Sequence, residues 1–223
     1  SEYSPAPVER GPRTVMDGET EASLAPDPKG PFVAFCFKVM VDPYVGKLSF
    51  LKVLSGSLTS DQNIYNLVKG EEERISAFKL MTGKEGKDVK EVALGEIVAI
   101  PKLHSTAVGD TMGVKGGKLI VPPLVFPQPV YSVAVTPKSR ADEDKLANAV
   151  HKMLEEDPSL SFRKNPETHD NVLSGMGDVH LDIMLSRTRE RYGVELDVAT
   201  PHVPYREAIK KPSKAQGKYK KQT

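Results

Sequence analysis

The longest apolar stretch of the chain lies between positions 32 and 41, where the sequence reads FVAFCFKVMV. Most of its residues are β-branched or aromatic, and Asp42 and Pro43 follow it directly. A short continuous run of this kind suits a strand with both faces covered better than a helix. The pattern therefore predicts a buried β-strand from Phe32 to Val41.

Four further segments of strand character follow, at 48–54, 64–68, 74–81 and 89–100. Turn signals separate them, namely Val45-Gly46, Ser55-Gly56-Ser57, Lys69-Gly70 and Thr82-Gly83. Short strands at such spacing are typical of small closed or nearly closed β-structures. We therefore predict an all-β barrel over residues 31–124, with almost no helix.

Prolines at 122, 123, 127 and 129 interrupt this pattern, and helical periodicity begins after them. The apolar stripe of a first helix comprises Leu146, Val150, Met153 and Leu154. Ser139, followed three residues later by Asp142, predicts the N-cap of this helix, and Asp157-Pro158 predicts its end. The proline-rich stretch is interpreted as a connector between two domains.

A second helical stripe comprises Leu181, Met184, Leu185, Thr188 and Tyr192. Gly193 follows it directly and predicts its C-terminal cap. Strands are predicted at 130–137, 159–164, 171–174 and 194–198, on both sides of the two helices. The resulting order βαββαβ predicts an α+β ferredoxin-like domain at residues 125–209.

The two ends of the sequence have no comparable pattern. Residues 1–30 are rich in Pro, Gly, Glu and Asp, so we interpret them as a linker from a missing upstream domain. Residues 206–223 carry seven Lys or Arg and one Glu. We interpret residues 210–223 as a basic linker into a missing fourth domain, and a nucleic-acid contact is the alternative for this tail.

The composition of the chain limits the cellular locations that we expect for it. The 223 residues have a formal net charge of +1 and one cysteine, Cys36, which excludes an internal disulfide. No apolar run approaches the roughly 18 residues that a membrane-spanning helix needs. The opening residues, Ser1 to Pro5, have neither the basic nor the apolar part of a signal peptide. We expect a cytoplasmic location and no membrane contact.

No pattern in the sequence predicts a catalytic site. A phosphate loop needs GxxxxGK followed by Ser or Thr, and none of the five Gly-Lys pairs fits. In the stretch SGMGD at 174–178, two glycines suit a tight turn, and His180 stands where a dinucleotide loop needs its third glycine. The five histidines do not have the spacing of metal ligands. We therefore expect no catalytic residue, no metal and no cofactor in this chain.

The stretch SGMGDVHLDI at 174–183 resembles the third-domain signature of elongation factor G, a bacterial translational GTPase. TPKSRAD at 136–142, LEEDPS at 154–159 and PHVPYREAI at 201–209 match the same family in the same order. The barrel matches through FKVMVDPYVGKL at 37–48, so the resemblance covers about residues 30 to 219. Asp178-Val179 stands where Glu-Leu is usual, which leaves a divergent paralogue open.

The resemblance implies that the chain is the second and third domains of a translocation factor whose GTPase domain is missing. In the family the barrel rests on small-subunit ribosomal RNA. The third domain lies between the GTPase domain, ribosomal RNA and a small-subunit protein, and helps to couple GTP hydrolysis to tRNA and mRNA movement. The parent is then expected to be a GTPase that uses GTP with Mg, whereas this fragment is not an enzyme.

Two sets of candidate contact residues follow. Lys47, Lys69 and Arg74 lie at or beside turns of the predicted barrel, from which a long cation can reach an RNA phosphate. Ordinary solubilising charge is the alternative for each of them. The resemblance implies a second set at the interface with the GTPase domain, where fusidic acid binds in the family. Its members are Asp157, Ser159, Val179, His180, Met184 and Arg187.

His180 and Arg187 are seven residues apart, about two helical turns, and are expected to share one helix face. The positive potential at a helix start disfavours a second positive charge, so His180 is expected to be a neutral hydrogen-bonding group. Two other functions stay open for the chain. It could be a free-standing RNA-binding module, or part of a ribosomal protection protein or another paralogous translational GTPase.

Overall fold

A computed structural model of the chain describes residues 5–42, 46–83, 85–218 and 220. Several predicted features lie outside the described residues. They are the start of the linker at 1–4, the tip of the DPYVGKL stretch at 43–45, residue 84 after the Thr82-Gly83 turn, and residues 219 and 221–223 of the basic linker.

The first part of the chain is built from β-strands. In chain order they are β1 (Arg13–Asp17), β2 (Thr20–Leu24), β3 (Val33–Asp42), β4 (Gly46–Ser55), β5 (Ser57–Thr59), β6 (Asn63–Asn66), β7 (Glu71–Arg74), β8 (Phe78–Thr82), β9 (Glu85–Val89), β10 (Glu91–Ala93), β11 (Ile97–Pro101), β12 (Thr111–Gly113) and β13 (Leu119–Ile120). Eight of them form an antiparallel sheet in the order β7-β6-β12-β3-β4-β11-β8-β9, and β5 pairs with β10.

This sheet closes around a single apolar core. Ile64 of β6 and Phe78 of β8 come from strands near opposite ends of the sheet order, yet both belong to the same buried cluster. Leu51 of β4 and Met112 of β12 fill the same cluster. Strands at the two ends of an open flat sheet could not share a core, so the predicted barrel is confirmed.

The predicted strand at positions 32–41 is β3, and most of its side chains are covered on both faces. Phe37 and Lys38 are the exception, because both are exposed. The pairing of β3 with β4 shifts register between Cys36 and Lys38. A β-bulge of this kind breaks the alternation of the strand and turns successive side chains outwards.

Residues 13–24 are part of the predicted linker, but in the structure they form two β-strands. β1 and β2 pair as a hairpin, and β13, about a hundred residues further along the chain, adds a third strand. Val15 and Leu24 are buried in one cluster with Val33 and Leu54 of the barrel. This part of the predicted linker is therefore packed structure rather than an extended connection.

The second part of the chain has the predicted βαββαβ order. Its elements are β14 (Tyr131–Pro137), α1 (Arg140–Glu156), β15 (Ser161–Lys164), β16 (Asn171–Gly175), α2 (Asp178–Tyr192) and β17 (Leu196–Ala199). The four strands are antiparallel in the order β15-β16-β14-β17. Both helices pack on one face of this sheet, where Val135, Leu173, Leu181 and Met184 form the core. The predicted ferredoxin-like domain is confirmed.

The helix ends follow from local chemistry that the sequence shows. The Ser139 side chain accepts a hydrogen bond from the Asp142 amide at 3.3 Å, which satisfies one of the free N–H groups at the start of α1. α2 ends at Gly193, whose φ of 61° lies in the left-handed region that glycine adopts without strain. These contacts determine where α1 begins and where α2 ends.

Candidate functional site

The first turn of α2 is joined to the loop after α1 by a histidine and an aspartate. His180 Nε2 lies 3.0 Å from Asp157 Oδ2, and the Met176 amide donates to His180 Nδ1 at 3.1 Å. The Ser159 amide and hydroxyl both donate to Asp157 Oδ1, at 2.9 and 2.6 Å. Three of the predicted interface residues, Asp157, Ser159 and His180, therefore form one hydrogen-bonded cluster.

The hydrogen bonds of this cluster determine the tautomer of His180. Because Nδ1 accepts a backbone N–H, the ring proton lies on Nε2, where it is donated to Asp157. In this arrangement the ring acts as a hydrogen-bonding group on both sides, and the neutral charge expected for His180 stays a prediction. Burial raises the pKa of Asp157, but the hydrogen bonds from Ser159 and His180 outweigh this effect and hold the pKa below its ordinary value.

The outer face of α2 is apolar at its start and basic further along. Val179 is 64% exposed and Ile183 is 47% exposed. Arg187 is exposed one helical turn further on. Met184, in contrast, is 3% exposed and lies in the core beneath this surface. The side chain of Met184 packs in the core cluster of the α+β domain, and its place in the interface pocket stays a prediction.

Two of the three basic residues predicted to reach RNA are held by other groups of the protein. Lys47 Nζ lies 3.0 Å from Glu155 Oε1, and its side chain is only 14% exposed. Lys69 Nζ lies 2.9 Å from Asp110 Oδ2 and also donates to the Ser105 carbonyl. Arg74 is exposed on β7, at the edge of the sheet, and no ion pair joins it to another described residue. Contact of these residues with RNA stays a prediction.

A buried glutamate that sequence reasoning missed supports this part of the barrel. Glu73 on β7 is 5% exposed. It accepts hydrogen bonds from the amides of residues 104–106 and from the hydroxyls of Ser105 and Thr106. Burial raises the pKa of Glu73, but these bonds lower it more, so the carboxylate is held below its ordinary pKa. Glu73 thus fixes the loop whose carbonyl receives Lys69.

Two glutamates at the end of α1 join the two domains, and they too were missed. The Val41 amide at the end of β3 donates to Glu156 Oε1 at 2.6 Å. Arg191 of α2 donates to both oxygens of Glu156, at 3.1 and 3.2 Å. Glu155 receives Lys47 from β4. The barrel, α1 and α2 therefore meet at one hydrogen-bonded junction, which we call the Glu156 junction.

The described residues form neither a metal site nor a membrane-spanning helix. No group of three or more His, Cys, Asp and Glu side chains in these ranges could hold a metal ion. Within the same ranges, no helix is long and apolar enough to cross a membrane. Burial in β3 raises the pKa of the Cys36 thiol to about 12, so this cysteine stays protonated and packs as an apolar residue.

Comparison with known families agrees with the division into a barrel and an α+β domain. The sequence model of elongation factor G domain 2 matches residues 31–115, and that of elongation factor G domain III matches residues 126–200. The two matches follow one another along the chain and together cover most of it. The chain belongs to the elongation factor G family. The resemblance to elongation factor G that the SGMGDVHLDI stretch indicates is thereby confirmed.

A solved structure agrees with the assignment to elongation factor G domains 2 and III. The chain is similar to a protein from Thermus thermophilus with a known crystal structure, with 34% sequence identity and a TM-score of 0.73. The similarity covers 80% of this chain and 27% of that protein. The chain thus spans about a quarter of the length of the relative it matches.

Proposed function

We propose that this chain forms the ribosome-binding second and third domains of a translocation GTPase. The parent protein binds GTP with Mg in a separate domain and acts in the cytoplasm. The observation that carries the proposal is the pair of elongation factor G domains, in family order, joined at the Glu156 junction. In this function the chain transmits movement between the GTPase domain and the ribosome, and performs no chemistry of its own.

The Glu156 junction supports a mechanical role. A charged carboxylate that accepts a backbone N–H forms a stronger hydrogen bond than a neutral pair does. The bond from Val41 to Glu156 ties a barrel strand to α1, and Arg191 ties the same carboxylate to α2. A displacement of α2 is therefore passed to the barrel through one side chain. A unit that couples hydrolysis to the movement of tRNA and mRNA needs such a connection.

The outer face of α2 supports contact with the GTPase domain of the same parent chain. Val179 and Ile183 expose apolar surface one turn apart. One turn after Ile183, Arg187 adds an exposed guanidinium that can bind a carboxylate or phosphate through two hydrogen bonds. Neighbouring exposed apolar side chains of this kind mark interaction sites. The cluster of Asp157, Ser159 and His180 holds the first turn of α2 in place beneath them. We place the fusidic acid pocket of the family at this same face.

The barrel supplies the contact with small-subunit ribosomal RNA in this proposal. Arg74 is its strongest candidate, because its guanidinium is exposed and is not paired with a described carboxylate. Lys69 is a weaker candidate, because Asp110 already neutralises it. Lys47 acts at the domain junction in the free chain. The remaining partners, a small-subunit protein and the fourth domain of the parent, are assigned to the α+β domain and the basic tail.

Co-sedimentation with 70S ribosomes over a salt series tests the proposal. The chain should pellet with ribosomes, and binding should weaken steeply between about 50 and 200 mM salt. Arg74→Ala should bind more weakly and reduce the slope of log affinity against log salt by about 1. Lys115→Ala is the matched control, because it removes another exposed cation of the barrel.

Two results would reject the proposal. One is a chain that stays in the supernatant at the lowest salt concentration. The other is equal affinity for ribosomes and for isolated small-subunit RNA, with no effect of Arg74→Ala. That second result is what a free-standing RNA-binding module would give.

A further inference from the structure

A second surface of the barrel, far from Glu73 in the sheet order, carries a groove of about 350 Å³. Phe35, Lys52 and Ile97 are direct cross-strand neighbours on β3, β4 and β11, and they form its floor. Phe37 and Leu124 close its sides, and both are exposed. The outward position of Phe37 follows from the β-bulge in β3.

The charges of this groove are unusual for an apolar surface. Lys52 lies between two apolar neighbours, and its amine donates to the Gly95 carbonyl at 2.7 Å. Among the described residues no carboxylate pairs with it. Arg13 stands at the same groove and is likewise not paired with a described carboxylate. Lys52 and Arg13 are thus the charged residues that line this apolar cavity, and none of its lining residues is acidic.

We propose that this groove binds a protein segment that presents a large apolar side chain next to a carboxylate. The apolar side chain fills the space between Phe37, Ile97 and Leu124, and the carboxylate pairs with Lys52 and Arg13. The cavity lies within the range of roughly 300 to 1,000 Å³ that is usual for ligand pockets, so one large side chain can enter it. Charge complementarity selects an acidic neighbour for that side chain.

The walls of the groove favour a protein partner over RNA. Surfaces that bind nucleic acid are much more polar and more positively charged than those that bind proteins. This groove has only Arg13 and Lys52 as charged lining residues, and its other walls are apolar. Leu54, Ile97 and Val121 offer aliphatic contacts, and among the lining residues only Phe35 and Phe37 carry flat faces on which a base could stack.

The test uses the whole chain and three probes. They are the blocked peptide acetyl-Asp-Leu-Phe-Glu-amide, its basic counterpart acetyl-Lys-Leu-Phe-Lys-amide, and single-stranded polyuridylate. Chemical shifts of the methyl groups of Ile97, Leu54 and Leu124 are followed by NMR during each titration. The acidic peptide should shift these methyl groups in a saturable manner, and the basic peptide should not.

Two variants test separately how much the charge of Lys52 and the apolar cavity contribute to binding. Lys52→Met keeps the aliphatic stem on the floor of the groove and should weaken binding of the acidic peptide about fivefold, with Lys115→Met as the matched control. Leu124→Glu changes an exposed connector residue and should abolish binding while the amide spectrum stays that of the folded chain. Equal binding of both peptides, shifts confined to other residues, or stronger binding of polyuridylate at this groove would overturn the proposal.

Discussion

Replacing Glu156 by alanine removes the acceptor on which the Glu156 junction depends. The variant deletes the hydrogen bond from the Val41 amide and both bonds from Arg191, but it keeps a good helix-forming residue at the end of α1. We expect the two domains to stay folded and to separate more easily. The change therefore isolates the contact between the domains from the stability of each domain.

The magnitude follows from the surroundings of the carboxylate. Its side chain is 12% exposed, so its hydrogen bond from Val41 is only partly screened and contributes about 1.5–3 kcal/mol. The Arg191 side chain is 34% exposed, so its pair with Glu156 adds about 0–1 kcal/mol. A loss of about 2 kcal/mol raises the population of the open junction about 30-fold.

Hydrogen exchange of the Val41 amide measures this opening directly, because that amide is itself the donor to Glu156. Its exchange should become at least about 30-fold faster in Glu156→Ala. The Leu67 amide, which donates to the Thr111 carbonyl inside the barrel, is the internal reference and should not change.

Glu155→Ala is the matched control for this measurement. It removes the ion pair with Lys47 but leaves the acceptor of Val41 in place, so the Val41 amide should accelerate less than about fivefold. If the Val41 amide exchanges at the same rate in the wild type and in Glu156→Ala, the junction does not exist in solution.

Three further predictions concern the separate domains. Burial raises the pKa of Asp157 but the bonds from Ser159 and His180 lower it more, so the α+β domain gains stability above roughly pH 4 and loses it as pH falls through the lowered pKa. Urea unfolding at about pH 6 and about pH 3 measures how much of the free energy of unfolding is lost between the two pH values. This loss should be smaller for Asp157→Asn than for the wild type, and an equal loss in both would refute the prediction. Glu73→Ala should destabilise the barrel by about 3 kcal/mol, whereas the exposed Glu71→Ala should change its stability by less than about 0.5 kcal/mol; similar effects of both variants in urea unfolding would show that Glu73 is not buried. Thermolysin should cleave first between residues 121 and 130, near the 95% exposed Val125, and release a barrel that keeps residues 13–24; early loss of those residues would contradict the packing of β1 and β2.

Features that depend on neighbouring residues could be predicted from the sequence. The cap at Ser139 and the end of α2 at Gly193 each depend on a contact within four residues. The buried strand β3 is visible because its apolar run is continuous. The order βαββαβ follows from the same local signals, so the fold of the α+β domain could be predicted from the sequence.

Features that depend on distant residues could not be predicted. β1 and β2 contain few apolar residues, and the strand that completes their sheet, β13, is about a hundred residues away. Glu156 reaches Val41 across 115 positions, and no local pattern distinguishes it from a solvated glutamate at a helix end. The ion pair of Lys47 could not be predicted either, because its partner, Glu155, belongs to another domain.

The candidate site likewise contains residues that could be predicted from the sequence and residues that could not. The resemblance to the family identified Asp157, Ser159 and His180, and the structure brings these three together. The apolar face of α2 could be predicted only in part, because the predicted interface set does not include Ile183 and places Met184, a residue of the predicted buried stripe, at the interface. Helical periodicity places Ile183 one turn after Val179, and this spacing was the signal that could have found it.

Competition on the ribosome tests the central claim most directly. Fluorescently labelled chain is bound to 70S ribosomes, and unlabelled intact elongation factor G is added with a non-hydrolysable GTP analogue. If the chain forms the ribosome-binding second and third domains of a translocation GTPase, the intact factor occupies the same site and releases the label in a saturable manner. A label that stays bound at saturating factor, or that never binds the ribosome, would contradict the claim.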